Sequence, residues 1–270
     1  VTATYDAAMP EATMPTRTGY TFNGYYDAKT GGTQYYTSAG ASAKNWDKTS
    51  NTTLYAQWTA HTTTVTLDDQ GGTGGSTSVT ATYGSAMPLA NKPTKTGYTF
   101  GGYYDQTGGE GTQYYNNTPA SARAWDKDVA EATLYAKWTA KTTTITLDNQ
   151  GADAGKEGTQ QITGTYDQPL PTIVPPQKTG FNFVGYYNNS TTKYINADGT
   201  SAKNWNSASA TFTLIAHWES AATYSLSINK TTGISAVTGA VAGKTSVPFD
   251  QAITATLETG YNFAGWTASP

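Results

Sequence analysis

The chain returns four times to one short phrase. Gly-Tyr-Thr-Phe-Asn-Gly-Tyr-Tyr at Gly19–Tyr26 recurs at Gly97–Tyr104, drifts to Gly-Phe-Asn-Phe-Val-Gly-Tyr-Tyr at Gly180–Tyr187, and shortens at Gly260–Trp266. The copies begin about 80 residues apart, and self-similarity at a fixed period makes each period one structural unit. Within a copy the aromatics alternate, so Tyr20 and Phe22 share one face of a strand and Thr21 and Asn23 the other. Gly24, Gly102, Gly185 and Gly265 break that alternation, which predicts a bulge or a close backbone approach.

Units of this size bury a modest core, so each large aromatic inside one matters. Tyr, Trp and Phe make up 13% of the 270 residues, equal to the charged residues, while Thr and Gly abound. That mix favours strands and turns over helices. The net charge of −3 and the lack of any Lys/Arg run speak against nucleic acid or an anionic membrane surface as partners. There is no cysteine, hence neither disulfide nor thiolate metal site. No apolar run approaches the length of a membrane span. The sequence opens inside one period and closes inside another, as expected of a segment from a longer polypeptide.

The periods divide the chain into four modules. Residues 1–59 form a partial repeat without an opening strand, 60–140 and 141–219 are full repeats, and 222–270 is a partial, divergent repeat without a closing strand. A full repeat opens on a Thr-rich alternating strand (Thr62–Asp68, Thr144–Leu147), continues with a second (Val79–Tyr83), and closes on Leu-x-Ala-x-Trp. Val1–Asp27 and Val79–Asp105 agree at 20 of 27 positions, so the modules arose by duplication. Joints as short as Thr59-Ala-His61 predict a semi-rigid array. The expected core is Phe22, Phe100, Phe183 and Phe263 from the octets, with the closing tryptophans Trp58, Trp138 and Trp218.

Tyrosine pairs place neighbours on opposite faces of a strand. One member fills the core. The other, represented by Tyr26, Tyr36, Tyr104, Tyr115 and Tyr187, is the candidate binding surface, for an adjoining module, another protein or sugar rings. Catalytic candidates fail an internal test, since a residue serving chemistry in one module has no reason to be lost in its duplicate. His61 aligns with Lys141 and His217 with Gln57 and Lys137, and neither has an Asp or Ser at a suggestive spacing. Asp27 and Asp105 give way to Asn188, and Asp47 and Asp126 to Asn206, a change that carboxylate catalysis would not tolerate. The Asp68-Asp69 turn lacks the alternating oxygen donors of a calcium loop. Gly71–Gly75 lacks the Lys-Ser/Thr and helix of a phosphate loop. This reading assigns no catalytic, cofactor or metal residue.

Taken together, Asp148-Asn-Gln-Gly151, Tyr83-Gly84, Pro93-Thr-Lys-Thr-Gly-Tyr-Thr-Phe-Gly-Gly-Tyr-Tyr104 and Leu134-Tyr-Ala-Lys-Trp138 resemble the InlB B-repeat, or Listeria–Bacteroides repeat, of bacterial surface proteins. Tyr25, Tyr103 and Tyr186 stand where that family commonly has Trp, and Gly260–Trp266 resembles its divergent subtype. The resemblance implies mainly β, β-grasp-like modules in an elongated rod. It also implies a non-catalytic stalk or fibre segment, secreted or held at the bacterial cell surface or cell wall, within an adhesin. Expected partners are other copies of the chain, other surface proteins or glycans, without cofactors.

Overall fold

A computed structural model describes residues 1–189, 191–221, 234–238 and 254–262. Among these residues the chain is built from strands, in two compact units, Val1–Ala140 and Lys141–Pro270. In the first unit, β1 (Tyr20–Tyr26), β2 (Gln34–Thr37) and β3 (Tyr55–Ala60) make an antiparallel sheet in the order β2-β1-β3. Next come β4 (Thr62–Asp68), β5 (Ser78–Thr82), β6 (Tyr98–Tyr104), β7 (Gln113–Tyr115) and β8 (Glu131–Ala140), in the order β5-β4-β8-β6-β7. The second unit repeats that order with β9 (Thr142–Asp148), β10 (Gln161–Thr165), β11 (Phe181–Tyr187), β12 (Lys193–Asn196) and β13 (Thr211–Ser220), as β10-β9-β13-β11-β12. There β14 (Ile234–Thr238) also pairs with β15 (Thr254–Leu257).

Each full repeat is closed by its ends. The opening strand β4 lies between β5, antiparallel, and the closing strand β8, parallel in the register Thr64↔Glu131 to Asp68↔Tyr135. The sequence Thr-Thr-Thr-Val-Thr-Leu-Asp suits that inner position, because alternation buries Thr63, Val65 and Leu67 and exposes the threonines between them. Val1–Tyr5, identical in sequence to Val79–Tyr83, is irregular. Its counterpart is held by β4, and among the described residues no strand lies beside Val1–Tyr5. For the same reason β3 starts at Tyr55 whereas β8 starts four residues earlier in its own frame.

The octet glycines both bulge and admit a close approach. The register slips between Phe22 and Gly24, Phe100 and Gly102, and Phe183 and Gly185. At Gly102, φ is +118° and a Cβ would stand 2.2 Å from the Tyr115 carbonyl oxygen, so neither backbone nor space admits a side chain. Gly265 lies outside the described residues.

The core of the second repeat gathers Val65, Leu67, Ala81, Met87, Phe100, Tyr103, Tyr114, Tyr115, Trp125, Leu134 and Ala136, and the third repeat uses most of the same positions, adding Ile173 and leaving Phe183 at the edge. Phe22 and Phe100 are buried, Phe183 is half-buried, and Phe263 lies outside the described residues. The closing tryptophans differ from expectation: Trp58, Trp138 and Trp218 are half-buried. Each packs edge-on against the octet Phe opposite it, at 5.1–5.5 Å between centroids. The indole N–H of Trp138 donates to the Asp69 carbonyl and that of Trp218 to the Asn149 carbonyl, so these rings pin the turn after the opening strand from the rim. Among the described residues the fully buried tryptophans are the mid-repeat Trp125 and Trp205, whose indoles donate to the buried Thr63 and Thr143 hydroxyls at 2.8 and 3.0 Å.

Trp125→Ala is expected to destabilise the second repeat by about 3–5 kcal/mol, the range for truncating a buried large aromatic. Trp138→Ala, made at the rim, should cost less. Urea unfolding of the two full-length variants checks the order. A larger loss at Trp138 would place the core at the closing strand.

Candidate functional site

The polar groups that the sequence offers for chemistry are taken up by structure. Asp27 and Asp105 accept the backbone N–H of Thr33 and Thr112 and pair with Lys48 and Lys127; Asn188 accepts the Thr192 N–H in the same way. Asp47 and Asp126 accept the hydroxyls of Tyr35 and Tyr114, and Asn206 accepts that of Tyr194. The task at each position is to accept a hydrogen bond, which amide and carboxylate both do. The salt-bridging Lys44 and the Tyr35 hydroxyl hold the Asp47 carboxyl down to about 2. Asp68 and Asp148 accept the N–H two residues on, closing a turn at Gln70 and Gln150.

Of the five candidate surface tyrosines, Tyr36 and Tyr115 are corrected to core positions, 2% and 0% exposed. After β7 the chain folds back across it, with the Ala122 N–H donating to the Tyr114 carbonyl, and so covers both neighbours. Trp125 then packs on Tyr114 at 4.9 Å, while Tyr115 meets Tyr103 and its hydroxyl reaches the Pro88 carbonyl. Burial pushes the Tyr115 hydroxyl up to about 12. Tyr26, Tyr104 and Tyr187 are half-buried. The Lys137 ammonium lies over the Tyr104 ring at 5.3 Å, and the His217 imidazole stacks on Tyr187 at 4.1 Å.

The structure assembles one constellation that sequence spacing missed. His61 is the single residue between β3 and β4, and it is tied to the repeats on both sides. Its N–H donates to the Gly19 carbonyl and its carbonyl accepts the Tyr83 N–H, at 2.8 and 2.9 Å. Its Nε2 meets the Thr21 hydroxyl at 2.9 Å and its Nδ1 meets Asp128 Oδ1 at 2.6 Å. Asp128 Oδ2 takes the Gly19 N–H at 3.0 Å, which holds the carboxyl below its usual range together with the His61 contact, the larger cause. Tyr20 packs edge-on against Tyr83 at 5.7 Å, with the Arg17 guanidinium over its other face at 3.6 Å. A Cβ on Gly19 would fall 2.2 Å from the Tyr83 ring. The connectivity is hydroxyl, imidazole, carboxylate, and it joins Gly19 and Thr21 of the first repeat to His61 and Asp128 of the second. Asp128 is 67 residues from His61, so no local pattern pairs them. The signal in the sequence is that both are private to this joint, Lys141 and Ala208 standing at the equivalent positions of the next repeat.

A family model, the Listeria-Bacteroides repeat domain, matches residues 1–57 and 64–137. Through that first half the chain belongs to the Listeria–Bacteroides repeat family. Internalin H of Listeria monocytogenes is 43% identical over 110 residues, 40% of this chain and 19% of that protein. A protein of Evansella cellulosilytica described as a membrane protein is 29% identical over 196 residues, 69% of this chain and 25% of its own length. The chain thus spans a quarter or less of these relatives. No solved structure matches it. Among the described residues no helix is long and apolar enough to cross a membrane.

Asp128→Ala should uncouple the first repeat from the second, splitting a shared thermal transition and lowering the earlier one, as calorimetry of the full chain would read. The sign of the pH dependence follows from the depressed carboxyl. Its contribution is present above the ordinary Asp range, near about 3.9, and is lost as pH falls through the folded value. A wild-type transition that splits only under acid, and is already split at neutral pH in Asp128→Ala, meets both expectations.

The third repeat carries one unmet bond. The Tyr103 hydroxyl donates to Asp69 Oδ1, whereas the buried Tyr186 hydroxyl has no partner among the described residues, and Asn149 stands in place of Asp69. Tyr186→Phe, which removes the unpaired hydroxyl and keeps the ring, is expected to raise the stability of the third repeat by about 1 kcal/mol. An unchanged or lower midpoint in urea would refute it.

Proposed function

We propose that this chain is a non-catalytic structural segment of a bacterial extracellular or cell-surface protein. In this reading β-grasp-like modules are joined in line as a stalk or fibre within an adhesin. The observation that carries it is the use of the polar side chains: the carboxylates and tyrosine hydroxyls shared between repeats are spent on hydrogen bonds that hold each module, and those not shared fasten a joint. The parallel pairing of opening and closing strands suits a β-grasp-like module whose crossover is an irregular connector. Family membership and the internalin relative support a surface location, with cell-wall attachment supplied elsewhere in the protein. The Asp128–His61–Thr21 relay is read as a fastener because the second carboxylate oxygen is already bonded to the Gly19 N–H.

The alternative is a module that holds glycan or a host protein on its tyrosines. It is the weaker reading, because two of the five rings are core and the Tyr104 and Tyr187 faces already carry Lys137 and His217. Small-angle scattering of the full chain separates shape from function. Modules in line should give a maximum dimension on the order of 100 Å, from about 30–35 Å for each compact 80-residue unit. A compact globule would sink the stalk reading. Retention on a glycan array that Tyr104→Ala abolishes would favour the alternative.

A further inference from the structure

Duplication lets the third repeat be read against the other two, and one cluster in it has lost its charge balance. In the first repeat Asp47 takes the Tyr35 hydroxyl on one oxygen and the Lys44 ammonium on the other, at 2.6 Å, while Asp27 pairs with Lys48 at 2.9 Å. The second repeat keeps every part, with Asp126 between Tyr114 and Arg123, and Asp105 on Lys127. In both, two acids balance two bases. In the third repeat the two acids are replaced by Asn188 and Asn206, and Ser207 stands for Lys127. Lys203 remains at the Arg123 position, over the Tyr194 ring at 5.2 Å. Lys193 replaces Gln113 and lies over the Tyr187 ring at 5.4 Å. Two lysines and no acid leave these positions at +2, and neither lysine is ion-paired among the described residues.

The exchange also turns an acceptor into a donor. Asn206 Oδ1 takes the Tyr194 hydroxyl at 2.7 Å, as Asp126 Oδ1 takes that of Tyr114 at 2.5 Å. The amide nitrogen therefore falls to the place of Asp126 Oδ2, the atom that Arg123 meets at 2.5 Å. An ammonium and an amide N–H both donate, and neither accepts from the other. Lys203 and Asn206 are exposed, so the locus on which both converge faces solvent. We propose that the third repeat takes a carboxylate from outside at this locus, that of a uronic acid in an acidic polysaccharide. The duplicates define the ligand chemistry, because a carboxylate oxygen occupies the same locus in each of them. Charge-assisted hydrogen bonds from Lys203, joined by the Asn206 amide, hold it. The surroundings suit a sugar. Ser207 offers a hydroxyl for the ring hydroxyls, and the half-buried Tyr187 beside Lys193 offers an aromatic edge for a neighbouring sugar ring.

The experiment titrates the isotope-labelled full chain with a galacturonic acid tetramer and follows the backbone amide shifts by NMR. Shifts should gather at residues 193 and 203–207, saturate as one site, and shrink as salt is added. The neutral galactose tetramer should leave those amides in place. Asn206→Asp restores the internal acceptor of the other repeats, so binding should fall at least about tenfold while the third repeat keeps its folded spectrum. No shifts, or shifts that Asn206→Asp leaves unchanged, would overturn the proposal. Equal binding of a tetraglutamate peptide would overturn it too, since the locus would then read charge and not a sugar. None of these outcomes bears on the stalk reading, which the maximum dimension of the chain tests by itself.

Discussion

The structure depends on the parallel contact between the first and last strands of a repeat. Placing β4 beside β8 brings together residues about 67 apart, the longest loop closure in the module and hence the one most demanding of compensation. The compensation is concentrated there. Val65 and Leu67 on one strand and Leu134 and Ala136 on the other are buried against the same Trp125, whose indole is tied to Thr63 beneath them. The other strand pairings in the repeat are antiparallel and of shorter reach, from the β6–β7 hairpin and the β4–β5 pair to β6 against β8. The same closure sets the joint: a strand that ends one module emerges beside the strand that began it, and a single residue separates β3 from β4 and β8 from β9.

A small module with few charged residues has to satisfy its buried tyrosine hydroxyls without a large polar interior. It does so with one acceptor per ring, drawn from a turn: Asp69 for Tyr103, Asp126 for Tyr114, the Pro88 carbonyl for Tyr115. Where duplication has drifted, the acceptor drifts within its chemistry, as from Asp126 to Asn206. Tyr186 marks the limit of that tolerance. Its ring still packs on Phe183, at 5.1 Å, while its hydroxyl has no partner among the described residues.

The opening strands were legible in the sequence nearly to the residue, because strict Thr/apolar alternation is a local signal and the strands obey it. The bulge at Gly24, Gly102 and Gly185 was legible for a similar reason: it interrupts a pattern. What was not legible depended on the third dimension. Tyr36 and Tyr115 read as outward by strand parity, yet the chain doubles back over the short β2 and β7 and covers both faces. Trp125 sits in a stretch without periodicity, so nothing local distinguishes it from a loop residue, whereas Trp138 advertises a core role by alternation and then takes the rim. The His61–Asp128 pair was hidden by distance along the chain. It could have been suspected only from the coincidence of two residues absent together from the following repeat.

That coincidence separates two kinds of residue in a duplicated chain. Residues common to the first three copies answer to the module: the octet glycine that admits the neighbouring carbonyl, the mid-repeat Trp, the acceptor for its tyrosine neighbour. Residues confined to one copy answer to what lies next to it. His61 and Asp128 are of the second kind, and they act by joining four bonds through one linker residue, so that the first two repeats form a single compact unit. A joint made this way is stiff by hydrogen bonding and by the ring contact of Tyr20 with Tyr83, both short-ranged and directional, while the module cores on either side remain separate clusters. Stability in such an array is the sum of module and interface terms. Selection can then tune each joint through two or three surface residues without touching a core, which is how near-identical modules can be assembled into a chain whose joints differ.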